Sequence, residues 1–212
     1  MRIGVLGGTF DPIHYGHLVL AEEARATLAL ERVLLVPARE SPLKLHEQHS
    51  PAEHRRRMVE LAIAGNPHLA LSDVDLRRPA PSYTVDTLEL LQQEWGPQTE
   101  LYFLMGIDSL AGILSWRAPA RIMALATLVA AERPGAAVDM DALESALPGI
   151  RDRVRMLHIP EIGISSRDLR RRVRAALPIR YQVPEAVEAY IHARDLYRSP
   201  APREASARGY SA

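Results

Sequence analysis

The 212-residue sequence predicts an α/β fold in which a doubly wound parallel sheet carries helices on both faces. Three observations predict it. Short runs rich in Val, Ile, Leu or Tyr alternate with stretches of helical periodicity. Several runs are apolar at successive positions, as expected of strands covered on both sides. Most of them close on glycine, proline or a charged residue, where a strand gives way to a turn.

The elements follow in chain order. Residues 2–6 read as the first strand, and 16–30 as a helix with Leu18, Ala21, Leu28 and Ala29 as its apolar positions. A second strand is expected over 33–37. Ser50-Pro51-Ala52-Glu53 has the form of a capping box with proline at the first helical position, opening a helix to about residue 64. Residues 69–75 read as the third strand. The helix at 84–95 places Val85, Leu88, Leu91 and Trp95 on one stripe. Strands at 101–105, 127–131 and 154–159 follow, then helices at 167–176 and 184–193. No internal repeat is visible. A single Rossmann-like domain over 1–197 is expected, with a small C-terminal helical part at about 165–197. From 198 to 212 the composition shifts to Ser, Pro, Ala and Arg, which predicts a disordered tail.

Composition narrows the function classes. The chain has 26 basic and 26 acidic residues, and Lys44 is its one lysine among arginines. Zero net charge argues against wholesale binding to nucleic acid or an anionic membrane. Alanine, leucine and arginine abundance is what a GC-rich genome produces without any function. The absence of cysteine excludes disulfides, thiolate metal sites and cysteine nucleophiles. The start lacks a signal-peptide core, and the longest apolar run, 122–131, is too short to span a bilayer. A cytoplasmic protein is expected, and a homo-oligomer is left open.

In an open α/β sheet, ligands sit beyond the carboxyl ends of the strands. The first strand runs into Gly7-Gly8-Thr9-Phe10-Asp11-Pro12-Ile13-His14-Tyr15-Gly16-His17. Two glycines let a ligand approach the backbone. His14 and His17, three apart, share a helix face and can both point at an anion held by the helix start. A His-x-x-His pair also suggests zinc, but no third ligand is apparent. The second candidate is Ile164-Ser165-Ser166-Arg167-Asp168-Leu169-Arg170. Ser165 with Asp168 fits a capping box, and hydroxyls at a helix start plus the guanidinium of Arg170 make a phosphate cradle. Between 151 and 180 nine arginines face three acids, a local excess of six positive charges.

The string from Gly8 to His17 resembles the Thr-Phe-Asp-Pro…His-x-Gly-His signature of nucleotidyltransferases, and most of all the bacterial nicotinate-nucleotide adenylyltransferases. The likeness runs from Met1 to about Tyr197. It implies adenylyl transfer from ATP to nicotinate mononucleotide, with His14, His17 and Arg170 as catalytic residues. It further implies ATP contacts from Gly7, Gly8, Thr9, Phe10, Gly106, Asp108, Ile164, Ser165 and Ser166, with Mg2+ carried on the phosphates and no protein metal ligand. The segment 164–170 resembles the family's Ile-Ser-x-Thr-x-x-Arg motif, with Arg167 where threonine is common. On the mononucleotide side the resemblance implies Lys44, Ser82, Tyr83, Thr84, Trp116 and Arg133. Helix-start amides at 82–84 would take the nicotinate carboxylate and offer little to a neutral carboxamide. Two alternatives stay open on the sequence: a related transferase acting on phosphopantetheine or an alcohol phosphate, and a nucleotide-binding regulator with a silent site.

Overall fold

The computed structural model describes residues 1–42, 48–133 and 135–198. Six strands form one parallel sheet: β1 (Arg2–Gly8), β2 (Arg32–Pro37), β3 (Leu69–Leu71), β4 (Glu100–Gly106), β5 (Ala126–Ala131) and β6 (Val154–Leu157). Their order is β3-β2-β1-β4-β5-β6, so the winding reverses between β1 and β4. That reversal leaves a crevice beyond the carboxyl ends of these two strands, where ligands of doubly wound sheets bind.

Successive strand residues serve opposite faces, which is why the strands are apolar throughout. Val5, Leu34, Phe103 and Leu128 join one core with Val85, Leu88 and Leu91 of α3 (Thr84–Trp95). Their chain neighbours Leu6, Leu35, Leu104 and Val129 join a second core on the other face. That second core takes Ala21 and Ala24 of α1 (Tyr15–Thr27), Met58 and Val59 of α2 (Ala52–Ile63), Leu169 of α8 (Ser166–Arg174) and Ile191 of α9 (Glu185–Ala193). The first core is closed by α4 (Ile107–Ala111), α5 (Pro119–Leu125), α6 (Met140–Ala146) and α7 (Ile150–Arg153). Each fully buried aliphatic side chain contributes about 1.5–3 kcal/mol.

Several expected boundaries shift, each for a local reason. β3 stops at Leu71 because the chain turns, with the Asp73 carbonyl accepting from the amides of Leu76 and Arg77. α1 ends at Thr27, and Ala29, expected on its buried stripe, is exposed with a left-handed φ of 49°. The Ser50 capping box does not form. Pro51 is the cap residue of α2, and Ser50 instead gives its amide to Asp11. β6 ends at Leu157, and α8 gives way after Arg174 to Ala176 with φ 53°. Helices α4 to α7 were not expected: at four to seven residues each, they are too short to show periodicity. The apolar run 122–131 is the end of α5 joined to all of β5. Among the described residues no helix is long and apolar enough to cross a membrane. The predicted tail from residue 199 onward lies outside the described residues.

Candidate active site

The loop after β1 is built around two buried side chains. Phe10 has a left-handed φ of 50° and is buried, its ring meeting the edge of His17 at a centroid distance of 5.0 Å. A Cβ at Gly8 would come within 3.0 Å of that ring, so Gly8 is needed for the turn to close over it. Phe10 is expected among the ATP contacts, and its buried ring packs against His17. Asp11 is 1% exposed. Its Oδ1 accepts from the Tyr197 hydroxyl (2.6 Å) and its Oδ2 from the Ser50 amide (3.0 Å).

His14 is the N-cap residue of α1, and His17 stands three residues on. Their rings lie 3.8 Å apart, tilted by 30°. The His14 backbone amide donates to His17 Nδ1 at 3.3 Å. With Nδ1 accepting, a neutral His17 carries its proton on Nε2. The reciprocal arm is incomplete. The His17 amide donates to the His14 carbonyl at 3.0 Å, leaving the buried Nδ1 of His14 without a hydrogen bond. Burial pushes His14 down from the ordinary 6.5 to about 4, so it is neutral near physiological pH. A Cβ at Gly16 would lie 3.1 Å from the His14 ring, which is the steric reason for glycine between the two histidines.

The C-terminal motif is tied directly to this loop. Arg170 Nη1 donates to the Asp11 carbonyl (2.7 Å), and Ser166 Oγ donates to the Pro12 carbonyl (2.8 Å). Ser165 caps α8 as expected, its Oγ accepting from the Asp168 amide at 3.2 Å. Two segments some 150 positions apart are thus held together by main-chain acceptors of the first motif.

Two clefts open at this end of the sheet. The first, about 470 Å³, is lined by Gly7, Gly8, Thr9, Ser82, Tyr83, Thr84 and Trp116, with Ser41 and Pro42 at its edge. Trp116 stands edge-on to Phe103, their rings 5.9 Å apart. The amide of Ser82, expected to meet a carboxylate, is already given to the Glu40 carbonyl at 2.8 Å. Ser82 Oγ accepts from the Arg39 amide at 3.0 Å, so this residue fixes the cleft wall. The amides of the first turn of α3 have no acceptor within the helix. That helix start is held from behind by Arg78, which donates to the Tyr83 carbonyl (3.0 Å) and to buried Asp75 (2.7 Å).

The second cleft, about 370 Å³, gathers Gly16, Gly106, Asp108, Arg133, Ile164 and Ser165. Arg133 Nη2 lies 3.4 Å from Asp108 Oδ2. Arg133 was expected beside the mononucleotide, yet it shares this cleft with Asp108 because both follow neighbouring strands β4 and β5. Gly7, Gly8 and Thr9, expected on the ATP side, line the first cleft rather than the second, since β1 sits at the winding reversal. Lys44 lies outside the described residues.

Sequence reasoning missed Arg55, Asp75, Arg78 and Tyr197. One signal was available for Arg55: it falls three and four positions before Met58 and Val59, on the apolar stripe of α2. Among the described residues no three His, Asp or Glu side chains converge as a metal site.

The sequence model of the cytidylyltransferase-like family matches residues 5–172. A probable nicotinate-nucleotide adenylyltransferase of Roseiflexus sp. (strain RS-1) is 50% identical over 196 residues, covering 92% of this chain and 98% of that protein. One of Thermus thermophilus is 46% identical, covering 93% of this chain and 100% of that protein. The solved structure of Plasmodium falciparum nicotinic acid mononucleotide adenylyltransferase complexed with NaAD superposes with a TM-score of 0.74 at 21% identity, covering 92% of this chain and 97% of that one. By this match over most of its length, together with the His-x-Gly-His loop and the paired clefts, the chain belongs to the cytidylyltransferase-like family and, within it, to the nicotinate-nucleotide adenylyltransferases.

Proposed function

We propose that the protein transfers the adenylyl group of ATP to nicotinate mononucleotide, forming nicotinate adenine dinucleotide and pyrophosphate in NAD biosynthesis. The observation that carries this reading is the joining of Arg170 and Ser166 to the carbonyls of Asp11 and Pro12. It draws a phosphate-type helix start to the histidine loop, next to a separate cleft walled by Trp116.

The mononucleotide phosphate oxygen attacks the α-phosphorus in line. A P–O bond forms there, the bond to the β-phosphate breaks, and pyrophosphate leaves with that electron pair. The nucleophile is already ionised near neutral pH, so the protein needs no general base. Its task is alignment and stabilisation of developing charge. His17 donates from Nε2, and neutral His14 adds a second donor without placing two stacked cations side by side. Arg170 and the start of α8, with Ser165 and Ser166, hold the leaving pyrophosphate. Gly106 and Asp108 receive the adenosine part, with the Asp108 carboxylate accepting from ribose hydroxyls and Arg133 beside it. Mg2+ carried on the ATP phosphates would supply charge neutralisation there.

On the acceptor side, Trp116 stacks on the pyridine ring and the α3 start takes its carboxylate. Lys44 is assigned to the mononucleotide phosphate on sequence grounds. The test is pyrophosphate release from ATP with nicotinate mononucleotide, nicotinamide mononucleotide or phosphopantetheine as acceptor. Preference for the nicotinate form supports the reading. Preference for phosphopantetheine, or release with none of them, overturns it.

A further inference from the structure

Arg55 is 2% exposed, among the largest fully buried side chains of the protein. It occupies the inward face of α2, where Met58 and Val59 are its apolar neighbours. Its guanidinium makes no ion pair with a carboxylate among the described residues. Instead it donates to four main-chain carbonyls: Nε to Ser50 (3.0 Å), Nη1 to Thr9 (2.8 Å) and Ala38 (2.7 Å), and Nη2 to Arg39 (3.0 Å). Burial opposes its charge, and the nearby Asp11 carboxylate favours it.

The carbonyls matter because of where they lie. Thr9 follows β1 and Ala38 follows β2, just past the last register pair, Gly8 with Pro37. One further bond, from the Ala38 amide to the Gly8 carbonyl at 2.9 Å, extends the ladder. Beyond it the strand ladder ends and the carbonyls of Thr9 and Ala38 converge on one point. Two converging carbonyl dipoles repel unless a donor stands between them, and Nη1 supplies one hydrogen to each. The first loop then carries the histidines. The second leads through Arg39, whose amide binds Ser82 Oγ, into the wall of the first cleft.

We propose that Arg55 is a positioning residue that sets the spacing of these two loops, and so the distance between the phosphates of the two substrates. This rests on the adenylyl-transfer reading above. A planar fork with fixed donor directions holds four carbonyls at once, whereas a lysine ammonium has three donors at a single point. Arg55→Lys keeps the charge and loses the fork.

The test pairs kinetics with amide exchange on the full chain, wild type beside variant. Arg55→Lys should lower kcat by ~10–100-fold, the scale of a reacting pair held out of line. KM for ATP and KM for the mononucleotide should each stay within ~3-fold, since ground-state binding is retained. Arg55→Gln, with two donors and no charge, should fall further. Amides at 9–10 and 38–40 should exchange faster together in both variants, while those of β4 and β5 hold. A loss of activity confined to a rise in KM, or faster exchange in only one of the two segments, overturns the proposal. Failure of both variants to fold in the cold also overturns it, because Arg55 would then serve folding alone. Wild type inactive with every acceptor would instead sink the adenylyl-transfer reading, and coupled exchange of the two segments would still decide the role of Arg55.

Discussion

The hydroxyl of Tyr197 donates to Asp11 Oδ1 at 2.6 Å, joining the last described stretch of the chain to the loop after its first strand. Both groups are held away from water, and burial with the Asp11 charge pushes the Tyr197 phenol up, so it stays a donor at every working pH. Tyr197→Phe keeps the ring against the second core and strands one carboxylate oxygen. A lost stability of about 1–3 kcal/mol is expected, the penalty of an unsatisfied buried acceptor. Urea unfolding of the two proteins measures it directly. An unchanged midpoint would mean that Asp11 does not depend on this bond.

His14 gives the fold a pH dependence of definite sign. Burial lowers its value from 6.5 to about 4, so the unfolded chain binds more protons between those limits. Stability from this residue is fully present above about 6.5 and declines as the pH falls toward about 4. The whole effect is about 3 kcal/mol on the scale of 1.36 kcal/mol per tenfold change in proton affinity. His14→Asn removes the titrating group. The stability difference between wild type and His14→Asn should therefore shrink steadily from neutral pH down to about pH 4. A difference independent of pH would show that the His14 imidazole is not desolvated.

His17→Ala removes a donor whose proton is placed on Nε2 by the acceptor role of Nδ1. If that donor acts mainly as charge builds on the α-phosphate, kcat should drop by ~10²–10³ with little change in KM for ATP. Steady-state pyrophosphate release reads both constants. A kcat close to wild type would take His17 out of the chemistry.

These residues divide by how the chain announces them. The grouping of His14, His17, Ser165 and Arg170 was legible because they stand at or within a turn or so of a helix start, where glycine, hydroxyl and basic residues suggest a phosphate site in sequence. The strands were legible for a related reason: burial on both faces makes Val5 and Leu6 equally apolar. Tyr197 and Asp75 were hidden because their partners are long-range or lie across a turn that no period describes. Arg55 was hidden by its type, since an arginine on a helix normally reads as solvated. The local charge excess at 151–180 pointed toward Arg170, yet two of its neighbours spend their charge nearby, Arg171 on Asp168 and Arg172 on the Pro178 carbonyl. Charge counting found the region, and only the contacts separate its members.

Arg78 and Asp75 offer the sharpest test of how the first cleft is held. Their side chains are 16% and 6% exposed, and Asp75 Oδ1 accepts from Arg78 Nε (2.9 Å), Arg78 Nη2 (2.7 Å) and Thr87 Oγ1 (2.7 Å). Arg78 also reaches the carbonyls of Pro81 (3.2 Å) and Tyr83 (3.0 Å), which fixes the turn that starts α3. Arg78→Ala leaves Asp75 buried with Thr87 alone and should cost about 3–5 kcal/mol. Arg78→Ala with Asp75→Asn removes the stranded charge and should recover part of that loss. The displaced helix start should raise KM for the mononucleotide in both variants, because the turn stays unclamped whether or not the charge is present. KM for ATP should change far less, since Asp108 and Ser165 line the other cleft. If the double variant restored the mononucleotide KM as well as the stability, Arg78 would act only by neutralising Asp75, and the clamp on the Tyr83 carbonyl would be irrelevant to binding.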